Sequence, residues 1–473
     1  MNLEFYAPAL SLAVPCLLGL LVLRALGLRF ATDRLAWPAW VWLTGSLLTA
    51  AIELAVLVAG AGTERWVHDL AALALALGLF LAGRHRPPQP AAPRRPFTGE
   101  QLLFLALVAL ALVYVLNQLL LATLEPIYFD DEAHFWAERA KLLYTAGGFG
   151  PEYQAGLRTL DHSEYPLLNP LLQVWVFVHA GEILHVLNRL PMQLAVPAVV
   201  LLLASGARRT LRAPAAGLLV LTFVGSMLIV LVVRRAHSDI LVAFGGLVLL
   251  DAYLRWREER HDAWIVLAAL GAAYLAWAKN EGQLVLAALA LVAALERWRS
   301  ARAGLRFELR LVHLAWLVPA SAVGVTWLHN RVFELHSKLV GPGAASGGLV
   351  ARLLDQWQAN TSEVLGFFAE TAVNGSDFQL LPLALLLLVL ADLGTARRLR
   401  APLLVLALVL AGFALVLIAT PAEVTWHLKT AGKRLALQVY PALTLLVAAL
   451  MGRWLPAEPT HAPDERLAPP RES

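Results

Sequence analysis

Charged residues are scarce in this chain. Only 15% of its 473 residues are Asp, Glu, Lys or Arg, while 59% are hydrophobic. The apolar fraction is about ten percentage points above the usage of soluble domains, and the charged fraction about ten points below it. A mean hydropathy of +0.65 over the whole length excludes a soluble globular protein and predicts a chain that crosses a membrane many times.

Cysteine and an amino-terminal basic region are also lacking. The single cysteine, Cys16, excludes an intrachain disulfide and a thiolate metal site. Because no basic residue precedes the first apolar stretch, we expect that stretch to be retained rather than cleaved as a signal peptide. The formal charge of +4 is explained by arginine-rich cytoplasmic loops, so we predict no nucleic-acid partner.

Thirteen apolar stretches are candidate membrane spans. They are 8–28, 37–60, 66–83, 101–124, 191–207, 214–233, 240–254, 263–278, 283–295, 311–328, 378–391, 402–419 and 435–451. The predicted fold class is an all-α polytopic membrane protein with about 13 transmembrane helices and a large amphipathic outer loop. Its predicted parts are three extra N-terminal helices (1–83), a cytoplasmic Pro/Arg linker (84–99), a membrane core (100–452) with outer loops 125–166 and 332–376, and a polar cytoplasmic tail (453–473).

Arginine determines the predicted orientation, since short cytoplasmic loops collect basic residues. Arginines cluster at 24–34, 84–95, 208–212, 255–260, 297–310 and 397–400. All the lysines fall in the opposite loops: Lys141, Lys279, Lys338, Lys429 and Lys433. Lysines on the translocated side oppose the usual bias and indicate a local cause such as an anionic ligand, although so few can also be simply solvated.

The apolar stretch 167–187 conflicts with this alternation. It contains His179, Glu182 and His185, so we interpret it as a partly buried or re-entrant segment on the outer side. The amino terminus then lies outside and the carboxyl terminus inside. If the stretch crosses, the sidedness of everything upstream inverts.

Outer loop 125–166 begins with an amphipathic pattern. Apolar residues recur at steps of four and three: Phe129, Ala133, Trp136, Ala140 and Leu143. This pattern predicts a helix in the membrane interface.

The acidic residues at the start of that helix have two explanations. Asp130 can cap the helix, while Asp131 and Glu132 favour its dipole. Alternatively, a carboxylate held beside Trp136 at the lipid boundary is desolvated enough to act as a general base. Spacing alone favours the cap.

Three later outer segments carry further polar residues. The turn RRAHSDI contributes Arg235, His237 and Asp239. The segment KNEG lies between two spans so short that it should dip below the membrane surface. Its Lys279 and Glu281 are either a ligand site or a mutually neutralising pair, and the sequence weighs these alternatives evenly.

The last outer segment, before the final span, is basic. It contributes His427, Lys433 and Arg434. Such a cluster can snorkel to the interface, but here it lies on the side opposite to the usual topological role.

In this order, the outer segments resemble the GT-C superfamily of glycosyltransferases. The resemblance rests on FDDEAHFW, EYPLL, HSD, KNEG and WHLxTxxxRLxLQxxP, and it covers roughly residues 100–452. The chain looks most like bacterial relatives of protein O-mannosyltransferases and aminoarabinose transferases. It departs from the commoner pattern in having DDE instead of DE, YPLL instead of a double proline, and Phe135 where an aromatic hydroxyl often stands, which leaves the acceptor class open.

The resemblance implies an enzyme in a cell membrane, the inner membrane in a bacterium, with its active site facing outward. It would move a sugar from a polyprenyl-phosphate donor to a hydroxyl of a glycan, lipid or protein in one inverting step, surrounded by membrane lipids. No cofactor is required by the sequence, although carboxylates and histidines could hold Mg or Mn. The alternatives are a polytopic transporter or lipid-linked-sugar flippase, whose charges would couple substrate to ions, and a non-catalytic scaffold.

Roles for the candidate residues follow from the chemistry of this reaction. The acceptor hydroxyl needs a general base, for which Asp131 is the first candidate and Asp130 the second. The leaving lipid phosphate gains negative charge, which fixed cations stabilise. The remaining acidic candidates are Glu132 and Asp239, the donor-phosphate candidates are Lys279, Lys433, Arg434, His427 and Arg235, and the substrate-pocket candidates are Tyr165, Glu281, His237 and Trp136.

Overall fold

The protein is helical throughout the part of the chain that the structure describes. A computed structural model describes residues 10–84, 98–125, 127, 131–304, 310–336 and 348–457. Over these ranges the only extended pairing is an isolated antiparallel bridge between Leu211 and Pro456. Seven helices in these ranges are long and apolar enough to cross a membrane, so the chain is a helical membrane protein, while the count of 13 crossings stays a prediction.

Three helices precede the core. They are α1 (Ala13–Ala25), α2 (Trp37–Val58) and α3 (Arg65–Gly83). Helices α1 and α2 touch backbone to backbone, because a Cβ on Gly19 would lie 2.0 Å from the Val41 carbonyl oxygen and one on Gly45 would lie 1.7 Å from that of Pro15. Small residues permit such close approach between membrane helices. Most of α2 is buried against the rest of the protein, so these helices share its hydrophobic core.

The segment after α4 (Gly99–Thr123) folds over the bundle. It comprises a π-helical turn, Glu132–Ala137, that continues as α5 (Glu138–Thr145), followed by α6 (Pro151–Leu157). Trp136, Ala140 and Leu143 are buried as the periodicity predicts. They are covered by protein instead of lipid, since α5 packs on the next helix and the rings of Tyr144 and Phe177 meet at 5.8 Å. The apolar stripe of this helix therefore faces protein, while the position of the helix in the membrane interface stays a prediction.

That next helix, α7 (Leu168–Ala180), belongs to the stretch that conflicts with the alternation. Its 13 residues span about 20 Å, which is less than the hydrocarbon core of about 30 Å. Every residue from Leu168 to His179 is buried. Its length and burial favour the interpretation that it does not cross.

The centre of the bundle consists of helices that run back and forth between two ends. They are α8 (Leu190–Thr210), α9 (Ala213–Val224), α10 (Met227–Val233), α11 (Asp239–Glu259), α12 (Asp262–Ala278), α13 (Asn280–Arg302) and the last helix, α21 (Lys433–Met451). The predicted span 214–233 is broken into α9 and α10, because Gly225 and Ser226 interrupt it and Ser226 caps α10.

Shorter and more exposed helices lie between α13 and α21. They are α14 (Leu317–Val332), α15 (Gly348–Val373), α16 (Gly375–Phe378), α17 (Leu381–Ala391), α18 (Leu393–Arg398), α19 (Arg400–Ile418) and α20 (Val424–His427). Outside the undescribed residues 337–347, the predicted outer loop 332–376 is largely the helix α15. A 3-10 helix, Leu311–Trp316, leads into α14.

Arginine-bearing helix ends meet at one end of the bundle. Arg212, before α9, contacts Glu100 on α4 at 2.6 Å. Arg400, at the start of α19, contacts Glu296 near the end of α13 at 2.5 Å. We call this the inner end and the opposite one the outer end, following the predicted orientation; the membrane side that each faces stays a prediction.

A buried ionic network joins the turn before α2 to α8 and α11 near the inner end. We call it the inner cluster, and it consists of Asp33, Ser205, Arg209, Asp251 and Arg255. The Arg255 guanidinium donates to Asp251 at 2.9 Å and to Asp33 at 2.5 Å. It also lies between the rings of Trp40 and Trp264, at 4.7 and 5.2 Å.

Candidate functional site

Polar residues from separate segments converge at the outer end. We call them the outer cluster: Asp131, His237, Asp239, Lys279, Glu281, Arg434 and Gln438. All but Gln438 were candidate site residues of the sequence. The sequence therefore predicted which segments would meet.

Asp239 is the centre of this cluster. It is only 1% exposed, and its Oδ1 accepts hydrogen bonds from Lys279 Nζ at 3.0 Å and Gln438 Nε2 at 2.7 Å. Its Oδ2 lies 3.6 Å from Arg434 Nε. The carboxylate occupies the first turn of α11, where the helix dipole favours negative charge. Arg434 and Gln438 face it together because residues four apart share one face of α21.

Lys279 is the single extended residue between α12 and α13. This tight connection depends on Gly282, where a Cβ would lie 1.8 Å from the Leu275 carbonyl oxygen. Lys279 Nζ contacts Glu281 Oε1 at 2.9 Å. Burial opposes its charge, but Asp239 and Glu281 outweigh burial and raise the pKa of Lys279. The neutralising pair considered from the sequence is thus present, and it extends to Asp239.

Asp131 and Arg434 form the accessible edge of the cluster. Their side chains contact each other and are 32% and 28% exposed. Burial favours the neutral acid, but Arg434, together with His237 and Lys279, outweighs burial and lowers the pKa of Asp131. Asp131 is therefore ionised at neutral pH and faces the surface beside a fixed cation.

Both members of that pair adjoin π-helical turns. Asp131 directly precedes Glu132–Ala137, and Arg434 follows Leu428–Gly432 by one residue. A π-helical turn shifts the angular register of the side chains that follow it and is frequent at functional sites. The two turns help to explain how residues 303 positions apart point at each other.

Aromatic rings form the wall beside Lys279. Tyr165 stacks between Trp136 (5.5 Å, 8°) and His162 (5.1 Å, 10°). Lys279 Nζ lies 5.8 Å from the centre of the Tyr165 ring. Arg139 donates to the carbonyl oxygen of Tyr165 and fixes this segment. Burial raises the pKa of Tyr165, so its phenol stays protonated.

The structure does not bring three of the predicted site residues into the outer cluster, and a role for them in the site stays a prediction. Glu132 is buried, contacts Arg189 at 3.2 Å and accepts from the Ala236 backbone N–H at 2.8 Å. Lys433 contacts Asp377 at 2.7 Å, because adjacent helical residues point about 100° apart. Arg235 is half-buried on the Glu132 side.

The remaining candidates are at the margin or outside the described residues. His427 lies within electrostatic range of Arg434, Glu281 and Lys279, and its Nδ1 is 2.6 Å from Thr420 Oγ1. Asp130, the second choice for a base, lies outside the described residues.

Sequence reasoning missed Gln438, His162 and Arg189. The i, i+4 spacing from Arg434 was a signal for Gln438, and the DHSEYP segment contained His162 beside Tyr165. Arg189 gave no signal, since its partner Glu132 is 57 residues away in the chain.

The outer cluster is neither electrically balanced nor fully hydrogen-bonded. Three carboxylates face two cations, a formal charge of −1 with His237 neutral, because burial lowers the pKa of that histidine. Five buried atoms have no hydrogen-bond partner among the described residues: His237 Nε2, Asp239 Oδ2, Glu281 Oε2, Arg434 Nε and Gln438 Oε1. Buried polar atoms in native proteins nearly all bond to protein or to ordered water, so these atoms are available to water or to a bound ligand.

A metal centre is not indicated by the described side chains. No group of three or more His, Cys, Asp or Glu among them is arranged to hold a metal ion. The use of Mg or Mn stays a prediction.

Comparison of the chain with protein-family models, with curated proteins and with solved structures finds no match. The function must therefore be argued from the outer cluster itself.

Proposed function

We propose that this protein is a membrane glycosyltransferase that transfers a sugar from a polyprenyl-phosphate donor to an acceptor hydroxyl at the outer end. The observation that carries the proposal is the outer cluster: an ionised, partly exposed Asp131 in contact with Arg434, beside buried polar atoms that lack a hydrogen-bond partner among the described residues. A base and cations at one place are what this reaction requires.

In this reaction Asp131, Arg434 and Lys279 each have a defined role. The acceptor oxygen attacks the anomeric carbon while the bond from that carbon to the phosphate oxygen breaks, and the hydroxyl proton passes to Asp131. The lipid phosphate leaves with the bonding electron pair. Its new charge is stabilised by Arg434 at the accessible edge and by Lys279 behind it.

Arg434 has a double role in this scheme, because it already contacts Asp131. A donor phosphate that binds Arg434 competes with Asp131 for the guanidinium. When Asp131 loses that contact, Arg434 lowers its pKa less. The pKa of Asp131 therefore rises, and the carboxylate becomes a stronger base once the donor is bound. Donor binding and base activation are thereby coupled.

The test incubates the purified full-length protein with radiolabelled polyprenyl-phosphate sugars and cell-envelope acceptors. The expected result is acceptor-dependent release of lipid phosphate together with a labelled product. Substrate movement that depends on an ion gradient, with no lipid phosphate released for any acceptor, would instead support the transporter or flippase.

Two neighbouring cations supply a matched pair of variants. Arg434→Met should weaken donor binding and turnover together, by about 1.5 to 3 kcal/mol for a charge-assisted hydrogen bond. Lys433→Met removes the same charge one residue away, where it contacts only Asp377 in the described structure, and should leave both nearly unchanged. Equal effects of the two variants would contradict the assignment of Arg434.

A further inference from the structure

A second feature, independent of the proposed transfer reaction, is an open cavity of about 650 Å³ at the inner end. Its walls come from α11, α12, α13, α19 and α21. On α11 the lining runs from Val242 to Arg257, about 22 Å along the helix axis. One leaflet of the hydrocarbon core is about 15 Å thick, so the cavity is long enough to hold an acyl chain.

The two ends of this cavity differ in charge. Its inner mouth carries Arg257, Arg397, Arg398 and Arg400, against the single carboxylate of Glu296. Glu296 already contacts Arg400 at 2.5 Å and Arg299 at 3.1 Å. The side chain of Arg397 makes no hydrogen bond or ion pair with any residue in the described ranges. The mouth therefore has positive charge that the protein does not neutralise.

The walls between the ends are apolar and the mouth is aromatic. Leu249, Leu289 and Val405 are typical of the walls, and Trp256 and Trp316 line the cavity as well. Gly246 faces open space, since a Cβ built there meets no atom within 4 Å. Arginines and tryptophans beside an apolar groove match the headgroup and chain of a membrane lipid.

We propose that this cavity is a binding site for an anionic glycerophospholipid. The phosphate group binds the arginines at the inner mouth, and one acyl chain lies along the groove formed by α11, α13 and α19. The chain end then reaches toward Gln438, which lines the cavity and donates to Asp239. The occupant would approach the outer cluster from beneath.

The test measures lipid binding by native mass spectrometry of the full-length protein, with phosphatidylglycerol and phosphatidylcholine of identical chains. We expect phosphatidylglycerol to bind at least about tenfold more tightly. Arg397→Gln should weaken phosphatidylglycerol by roughly fivefold, because one basic side chain near anionic lipid contributes about that much. Phosphatidylcholine binding should not change in this variant.

A second variant tests the groove without touching the arginines. Gly246→Phe fills the open space in α11 and should weaken phosphatidylglycerol by about tenfold or more. Its matched control is Gly78→Phe, also a helical glycine whose Cβ would meet nothing within 4 Å but on the distant α3, and it should have no effect.

Three results would overturn the proposal. The first is equal binding of the two lipids. The second is unchanged binding in Gly246→Phe. The third is displacement of bound phosphatidylglycerol by millimolar inorganic phosphate, which would mean that the arginines hold a free anion and the groove holds no chain.

Discussion

The outer and inner clusters are built from the same types of charged residue but differ in exposure and in hydrogen bonding. In the inner cluster two arginines face the buried Asp251, the mostly buried Asp33 and, at the surface, Glu258, which lies 3.3 Å from Arg209. The Arg255 guanidinium, 2% exposed, donates to Asp33, Ser205 and Asp251 and is covered by two tryptophans. In the outer cluster three carboxylates face two cations, and one edge is exposed. Nearly complete hydrogen bonding of buried charged groups is typical of a structural network, whereas buried polar atoms without hydrogen bonds beside an exposed edge are typical of a site.

Hydrogen bonding separates the clusters more sharply than burial does. The inner cluster leaves one buried atom, Arg209 Nε, without a partner in the described structure, against five in the outer cluster. Asp251 and Asp239 are almost equally buried, so burial alone would not distinguish them. A difference in pairing predicts different responses to the same substitution.

The largest expected effect is on turnover in Asp131→Asn. Asparagine keeps the size and hydrogen bonding of aspartate but cannot accept the acceptor's proton. Turnover should fall by roughly two to four orders of magnitude, measured as lipid phosphate released, while donor binding persists. If this variant is fully active and Asp130→Asn is inactive, Asp130 is the general base. If both variants are fully active, neither aspartate takes part in the reaction.

Asp251→Asn is the corresponding change in the inner cluster. It leaves Arg209 and Arg255 without a full partner in a buried site, which typically costs about 3 to 5 kcal/mol. We expect a large fall in the thermal unfolding midpoint in detergent, with turnover per folded molecule retained. A stable but inactive variant would show that the inner cluster takes part in function.

Lys279 has a structural and a proposed chemical role, and a double variant separates them. Lys279→Met leaves Asp239 and Glu281 unneutralised, so stability and turnover should both fall. Adding Glu281→Gln removes one carboxylate and should restore most of the stability, but donor affinity should stay about 1.5 to 3 kcal/mol weaker. Restoration of both by the double variant would show that Lys279 only neutralises its neighbours.

The sequence predicted the helical membrane architecture and the segments that meet at the outer end. It could do so because apolar length and arginine placement follow directly from the bilayer. It did not separate every member of the outer cluster from its neighbours in the chain. Glu132 and Lys433 each adjoin a residue of the outer cluster and face away from it, because a helical step of one residue turns a side chain by about 100°.

The π-helical turns were also not predictable from the sequence. They shift the register beside Asp131 and Arg434, and no pattern of apolar residues announces them. The pairing of Lys279 with Asp239 joins positions 40 residues apart, which only the packing of α11 against α12 determines. Such ion pairs depend on tertiary packing, and so does the contact between α7 and the amphipathic outer helix.

The smallest effect expected is a change in pH dependence. In the protein as it stands, burial raises the pKa of Asp131, but Arg434, with smaller contributions from His237 and Lys279, lowers it further, so the carboxylate is ionised at any pH above the ordinary aspartate value of about 3.9. The acidic limb of kcat/KM, which reports groups of the free enzyme, should then lie below that value. In Arg434→Gln the main opposing cation is gone and burial is opposed only by the weaker effects of Lys279 and His237, so the residual activity should show this limb at higher pH, by about one unit or more. Lys433→Gln, whose charge faces Asp377, should leave the limb in place. A limb that does not move in Arg434→Gln would mean that Asp131 is not the group whose ionisation the reaction requires.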